Sequence, residues 1–577
     1  MVTYSSSERN GGKVAIYREQ KVTNINIFDH PYFEAVFGGA IFPDGSFVID
    51  FEEEIIEFQK LFLQTMSNIR SSNMMTFPVS TISLLVDKEG NFVDEEFAKW
   101  SCEHNRKWND SNFFADTEVT SLSSCCFDGS QECIVRTSMG QQKINFEKLY
   151  TFALKTRQET FEVLYKDKWK LGKLICLKGR TSYKIVTQND RTLIATDNHL
   201  HPTKGWKNKP TTELTTEDYL IYCDFDNPSV ELYDKIVSIT KLSEIPKYVY
   251  CFEMQDKKEP YFTLANGIIT HNCRLRNDIK ELGYMNSIGG TALKVGSVKV
   301  STINLARIAY ISKTEEEYLE NLREATVLNM KMLDVQRHII ERNIEKGLLP
   351  NFSHNLIEMK YLYSSIGILG IFETMKHFGY TQKDQFGNTF YTEKAIEFGK
   401  KIFATIHEER KKFQEDKDYM FNLEAVPAES MASRFQFADE LLFPDKVVKD
   451  LPLYGNQWMP LGIKTTLKER IRIAALFSSF CSGGDILHLN VDAPFDSFEK
   501  AWQMLQYVAK QGVKYFAFTG KISACKNNHA FYGTVCPICG KPVDTYYSRI
   551  VGFFVPVKNY SIPREQEWKM REWHNVN

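Results

Sequence analysis

Cysteines capable of chemistry fall into three groupings along the chain. The adjacent pair Cys125 and Cys126 lies far upstream of Cys273, which directly follows His271 and Asn272. Near the C-terminal end, Cys525, Cys536 and Cys539 stand close together with His529 among them. Thiolates are nucleophiles and metal ligands, and a nearby imidazole can hold or relay a proton. Cys536-Pro-Ile-Cys539 has the spacing of a zinc-ribbon turn. Cys525 and His529 could complete a tetrahedral site, since thiolate and imidazole both suit zinc. In a long chain without a secretory signal, such groupings point to metal sites and reactive thiols rather than disulfides. Cys102, Cys133, Cys176, Cys223 and Cys481 stand alone and read as small buried apolar residues.

The chain must supply a frame for these groups. Its 577 residues, 43% hydrophobic and 13% aromatic, allow a sizeable core and a soft expectation of two to four domains. A formal net charge of −2 argues against a surface built for nucleic acid. No apolar run is long enough to span a bilayer, and MVTYSSSERNGGK has no apolar core after its charges. A cytoplasmic protein without membrane or nucleic-acid partners is expected.

Residues 1–125 read as mixed α and β. IIEFQKLFLQTM places Ile55, Phe58, Leu61, Phe62 and Met66 at helical spacing, and PVSTISLLVDKEGNF reads as a strand and a glycine turn. From Cys126 to Asn272 the character changes to short β-rich runs between charged turns. After Cys273 long helices return. Ser312 and Glu315 fit a capping box, followed by a stripe of Tyr318, Leu322, Ala325, Leu328, Met332, Val335 and Ile339 and a stop at Gly347 and Pro350. An all-β block between two α/β blocks is the pattern of a domain inserted in a host.

The inserted block resembles an intein. It opens at Cys126 in CFDGSQECIVRT, holds Thr196-Asp197-Asn198-His199 in LIATDNHLHPT, and closes on NGIITHN just before Cys273. A lone His-Asn-Cys tripeptide carries little; the three pieces in order, at the borders of a β-rich insert, carry the resemblance. It is short and has no homing-endonuclease dodecapeptide, so it is similar to a splicing-only mini-intein of the Hint fold. The resemblance implies that the Cys126 thiol attacks the Cys125 carbonyl to form a thioester, with Thr196 and His199 protonating the amide nitrogen and holding the oxyanion. Cys273 then takes the acyl group. Asn272 cyclises with His271 relaying a proton, and an S–N shift leaves a Cys125–Cys273 peptide bond. Many inteins carry an aspartate where this chain has Cys251.

With the insert removed, VTSLSSC joins CRLRND. That loop, together with FDHPYFEAVFGGAIFPDGS, VSTINLARIA, VPAESMASRF, YGNQWMPL and GGDILHLNVDAP, resembles the anaerobic (class III) ribonucleotide reductases over nearly all of the host. RIVGF at Arg549–Phe553 resembles their glycyl-radical motif, with Gly552 as the radical residue. Glycine is needed because its α-radical can flatten between two amides. The resemblance implies an α/β fold: a partial ten-stranded barrel lacking its N-terminal part, an inserted all-β Hint domain and a C-terminal zinc ribbon. The expected divisions are 1–125 and 273–520 for barrel parts, 126–272 for the intein, and 521–577 for the ribbon and radical loop. The family often has four zinc cysteines; here His529 would take the fourth place.

The resemblance also implies ribonucleoside triphosphate substrates, ATP and dNTP effectors, and a role in making deoxyribonucleotides for DNA. It implies a homodimer, and a radical activase bringing S-adenosylmethionine and a 4Fe–4S cluster. Gly552 would generate a thiyl on Cys273, the residue before Arg274, or on Cys125. Because relatives carry a longer N-terminal part, a separately encoded N-terminal fragment is a candidate partner; the reductant, formate or a thiol protein, stays open. Two rival readings are a formate-lyase-like glycyl-radical enzyme with an intein, and a non-enzymatic zinc-ribbon protein with an autoprocessing domain.

Overall fold

The computed structural model describes residues 24–577 except 39, 41, 43, 45, 118–125, 198, 229, 257–258, 272–295, 355, 426–428 and 551. The chain divides into two units. One comprises Met1–Tyr32, Glu53–Val119 and Asn277–Asn577; the other comprises Phe33–Glu52 and Thr120–Arg276.

The first unit is built on two sheets. In a five-stranded sheet, Asn24–Phe28, Val79–Leu85 and Asn112–Asp116 run parallel, then Tyr515–Thr519 pairs antiparallel with Asn112–Asp116 and Leu487–Asn490 lies parallel beside it. A second sheet holds Gly296–Asn304, Leu362–Leu369 and Phe421–Glu424 in parallel. A bridge from Glu424 to Gly484 brings its last strand to the turn before Leu487–Asn490. Among the described residues the barrel thus has eight strands, three in one direction and five in the other, where the sequence reading anticipates a partial barrel of ten. Asn112–Asp116, Leu362–Leu369 and Tyr515–Thr519 are buried at every position. Such strands are covered on both faces, which explains apolar runs without alternation.

Helices link the strands, and two of them turn a different face inward from the one the sequence suggests. In Glu52–Ser72 the buried positions are Ile56, Gln59, Leu63, Met66, Ser67 and Arg70, whereas Phe58 and Leu61 are exposed. The buried face carries polar groups, which an apolar count passes over. The Gln59 carboxamide both accepts from the Phe28 backbone N–H (2.9 Å) and donates to the Phe28 carbonyl (3.1 Å). In Glu315–Glu345 the N-cap is Thr314, accepting from the Glu317 N–H, not Ser312. Tyr318 and Leu322 are buried, but the inner face continues through Thr326, Asn329, Met330, Leu333 and Arg337, leaving Leu328, Met332, Val335 and Ile339 exposed. The anticipated stripe repeats about every 3.5 residues, and such a stripe drifts by about 20° per heptad around a straight helix. Arg337 can be buried because it donates to the carbonyls of Leu362 (2.9 Å) and Met359 (2.8 Å).

The second unit is β-rich. One sheet of twelve strands winds through it, and Tyr261–Thr263 pairs with Ile269–His271. The sequence reading missed its helix, Phe146–Thr156, which is capped by Asn145 accepting from the Lys148 N–H. Phe127, Phe146, Phe252 and Phe262 form a ring cluster at its centre, with centroids 5.4–6.5 Å apart. The five solitary cysteines are all buried. Burial pushes the Cys102 and Cys176 thiols up to about 12, which keeps them protonated and inert.

Candidate functional sites

Within the β-rich unit, Cys126 precedes the strand Phe127–Asp128. That strand is wedged between Thr192–Thr196, where Ala195 faces Phe127, and Tyr248–Met254, where Tyr250 faces Phe127. The pairing brings Thr196 against both backbone groups of Cys126: the Cys126 N–H donates to Thr196 Oγ1 (3.0 Å), and the Thr196 N–H donates to the Cys126 carbonyl (2.9 Å). The nucleophile's backbone is therefore fixed by a single threonine. Cys251 lies one residue past Tyr250 on the neighbouring strand and is fully buried.

His199 follows at the end of a tight turn, its N–H donating to the Thr196 carbonyl (3.1 Å). Its ring is wholly buried, 4.2 Å from the Phe127 ring centroid, and Nε2 lies 2.6 Å from Thr270 Oγ1. Asp197 turns away to a two-pronged ion pair with Arg180 (2.8 and 3.2 Å). His271 is buried on the strand Ile269–His271, edge-on to Tyr261 at 5.3 Å. Two residues the sequence reading passed over complete the pocket. His201 packs edge-on against His199 (4.8 Å) and bonds Thr211 Oγ1 through Nε2 (2.9 Å). Burial, helped by His199, holds its pKa well below the ordinary imidazole range, so it stays neutral. The alternation in HLH was the available signal for His201; nothing local marked Thr270. Cys125, Asn272 and Cys273 lie outside the described residues, as does Asn198.

In the first unit, the four residues of the C-terminal grouping converge. Their ligand atoms all lie within 4.8 Å of one another. Cys525 Sγ is 3.7 Å from Cys539 Sγ, and Cys536 Sγ is 3.5 Å from His529 Nδ1. Tetrahedral zinc with Zn–S about 2.3 Å and Zn–N about 2.0–2.1 Å would separate these pairs by about 3.8 and about 3.5 Å. The donor set therefore fits zinc in both type and spacing. Two turns present it: the Asn528 N–H donates to the Cys525 carbonyl (2.8 Å), and the Gly540 N–H to the Cys536 carbonyl (2.9 Å). Gly540 sits at φ 68°, where a side chain is disfavoured.

Strand Val543–Arg549 then turns back into Phe554–Pro556, with Arg549 opposite Phe554, so Gly552 lies at the tip of a hairpin. Gly552 is buried, and its carbonyl accepts from Asn112 Nδ2 (3.1 Å), which also donates to the Tyr515 hydroxyl (2.9 Å). Asn112 and Tyr515 belong to the paired antiparallel barrel strands, so the glycine tip is held against the barrel itself. Arg549, wholly buried, donates to the carbonyls of Asn109 (2.7 Å) and Phe518 (2.9 Å) and lies 4.4 Å over the Phe554 ring. Burial pushes its guanidinium down to about 9. From the C-terminal side, Arg571 donates to the Arg549 carbonyl (2.7 Å) and pairs with buried Glu567 (2.9 Å). The hairpin that carries Gly552 is thus clamped on both flanks.

Comparison with known proteins now decides the family. The family model described as anaerobic ribonucleoside-triphosphate reductase matches residues 208–574, more than half of the chain. The chain belongs to the anaerobic ribonucleoside-triphosphate reductase family. The anaerobic ribonucleoside-triphosphate reductase of Haemophilus influenzae is 24% identical over 306 residues, 48% of this chain and 42% of its own. A solved anaerobic ribonucleotide reductase superposes with TM-score 0.66 at 29% identity, covering 96% of this chain and 64% of its own. The Thermotoga maritima enzyme in complex with dATP and CTP gives TM-score 0.63 at 28% identity, covering 96% of this chain and 65% of its own. The chain thus spans less than two thirds of the reductases it matches. Family membership removes the formate-lyase-like rival as a reading of the host. Among the described residues, no helix is long and apolar enough to cross a membrane.

Proposed function

We propose that the chain is a precursor of an anaerobic ribonucleoside-triphosphate reductase from which residues 126–272 are removed by protein splicing. The observation that carries the reductase half is Gly552, buried at a hairpin tip and bonded through its carbonyl to a barrel strand, in a chain of this family. Oxidised at its α-carbon by a separate activase bringing S-adenosylmethionine and a 4Fe–4S cluster, Gly552 supplies the radical chemistry that forms a thiyl on Cys273. The protein's own part is to hold that glycine in place. Asn112 fixes the carbonyl, Arg549 and Arg571 fix the strand behind it, and burial keeps bulk water from the glycine. Burial also raises the Tyr515 phenol, so its hydroxyl remains protonated beside Asn112.

Zinc would be held by Cys525, His529, Cys536 and Cys539, cross-linking the segment that leads into the radical hairpin. The substrates are ribonucleoside triphosphates, with dNTP and ATP as effectors; the two electrons that replace the 2′-hydroxyl come from an external reductant.

Splicing comes first. Cys126 Sγ attacks the Cys125 carbonyl; the C–N bond breaks as the amide nitrogen takes a proton. Thr196 holds the Cys126 backbone and His199 lies buried beside it. Cys273 Sγ displaces Cys126 from the thioester. Asn272 Nδ2 then attacks its own carbonyl, freeing the Cys273 amine, which displaces its own sulfur to make the Cys125–Cys273 peptide bond. Because Cys273 is both junction and thiyl residue, the unspliced chain is inactive.

The test is to activate spliced host anaerobically, with the activase and any N-terminal partner, and then admit oxygen. A glycyl doublet in electron paramagnetic resonance, a backbone cut at Gly552 and ribonucleotide reduction are expected, and Gly552→Ala should abolish all three. A doublet that persists in Gly552→Ala would refute the assignment.

A further inference from the structure

One hydroxyl that no splicing step uses lies against the His199 ring. Thr270 is fully buried on the strand that leads into the C-terminal junction. Its Oγ1 lies 2.6 Å from His199 Nε2 and 3.5 Å from the carbonyl oxygen of His271, the group bonded to the Asn272 nitrogen. The other ring nitrogen, His199 Nδ1, is buried and has no partner among the described residues. The ring cannot swing freely, because Phe127 covers it at 4.2 Å and His201 abuts it at 4.8 Å.

We propose that Thr270 is a positioning residue for the amide-to-thioester shift at Cys126: its hydroxyl orients His199 and ties that ring to the strand of the opposite splice junction. The inference rests on the splicing reading. A hydroxyl carries one proton and two lone pairs. Donating toward the His271 carbonyl, it accepts from Nε2–H and leaves Nδ1 as the working nitrogen. With both ring nitrogens protonated, Nδ1–H can be given to the departing amide nitrogen; the neutral Nε2–H tautomer that remains keeps the same bond to Thr270, and its bare Nδ1 can take a proton back without moving the ring. His201 has the same arrangement with Thr211 but stays neutral, so it serves as a wall. Valine has the shape of threonine without the hydroxyl; serine keeps the hydroxyl.

The experiment uses the full chain carrying Asn272→Ala, in which cyclisation is blocked, the acyl group rests as a thioester on Cys126 or Cys273, and dithiothreitol releases the fragment ending at Cys125 from either. Thr270→Val in that background should slow the release by more than about tenfold, a part of the roughly 10²–10⁴-fold that a positioned acid–base group contributes, while Thr270→Ser restores most of the rate. Release from Thr270→Val at the parent rate overturns the proposal. So do Thr270→Val and Thr270→Ser that are equally slow, since packing and not the hydroxyl would then be responsible. If the Asn272→Ala parent itself releases nothing, the splicing reading falls along with it; if only the Val variant matches the parent, the role of Thr270 alone falls.

Discussion

The two regions build their chemistry at different ranges. In the β-rich unit, Cys126, Thr196, His199, Thr270 and His271 all come from the single segment 126–272, whose strands fold back on one another. In the host, Gly552 is held by Asn112, 440 residues earlier, and the clamping Arg571 arrives from the far C-terminal end. A site assembled locally can act as soon as its own segment folds, which is what self-removal requires. A site assembled from distant parts of the chain depends on the fold of the whole host, and in the proposed reading only its thiyl partner waits for the ligated junction. Separating the two behaviours experimentally is the way to break this contrast.

The largest effect expected is at Asn272. Asn272→Ala should accumulate precursor or branched species and no ligated host by gel and mass, while leaving the Gly552 hairpin folded. Ligated product from this variant would end the local-site account. Next comes the ribbon. One zinc per chain is expected by elemental analysis, and Cys536→Ser should lose it. Structural zinc contributes on the order of 10 kcal/mol in small sites, so protease should then cut the segment around 525–556 readily. Splicing should continue in that variant, because its residues belong to the other unit.

Arg571→Ala removes one partner of a buried pair and uncovers the Arg549 carbonyl. Breaking such a pair costs about 3–5 kcal/mol, read as a lower unfolding midpoint of the host. Burial alone would raise the Glu567 pKa, but the Arg571 and Arg564 guanidiniums hold it below the ordinary range. Its contribution is therefore present above the unfolded carboxylate pKa and lost as pH falls through the lower folded value.

The smallest effect is at Asp29. Burial raises its pKa from 3.8 to about 7 against the Leu85 and Tyr32 N–H groups that favour the charged form. The folded state binds the proton more tightly than the unfolded state, so this residue's contribution declines as pH rises from about 4 to about 7. Asp29→Asn should flatten that part of the host's stability–pH curve; an unchanged slope would show that Asp29 titrates normally.

What could be read from sequence was whatever is written locally. The Cys536-Pro-Ile-Cys539 turn, the Thr196 and His199 pair and the strand–turn–strand rhythm of the insert each lie within a few residues; the structure gathers the four ribbon ligand atoms and sets the His199 N–H on the Thr196 carbonyl. Helix faces were less legible. Gln59 and Arg337 are buried because distant carbonyls satisfy them, and no apolar periodicity reports a distant carbonyl. Asn112 and Thr270 were invisible for the same reason: each is an ordinary strand residue until a remote segment brings Gly552 or His199 against it.

The central claim is that one chain carries a self-removing segment inside a reductase, and the intact mass of the expressed protein tests it most directly. The account predicts two products, a free segment of residues 126–272 ending in a cyclised Asn272, and a host whose tandem mass spectrum reads SSC joined to CRLRND across Cys125 and Cys273. A single species of full-length mass that persists under reducing, anaerobic conditions, with no Cys125–Cys273 peptide, would contradict it.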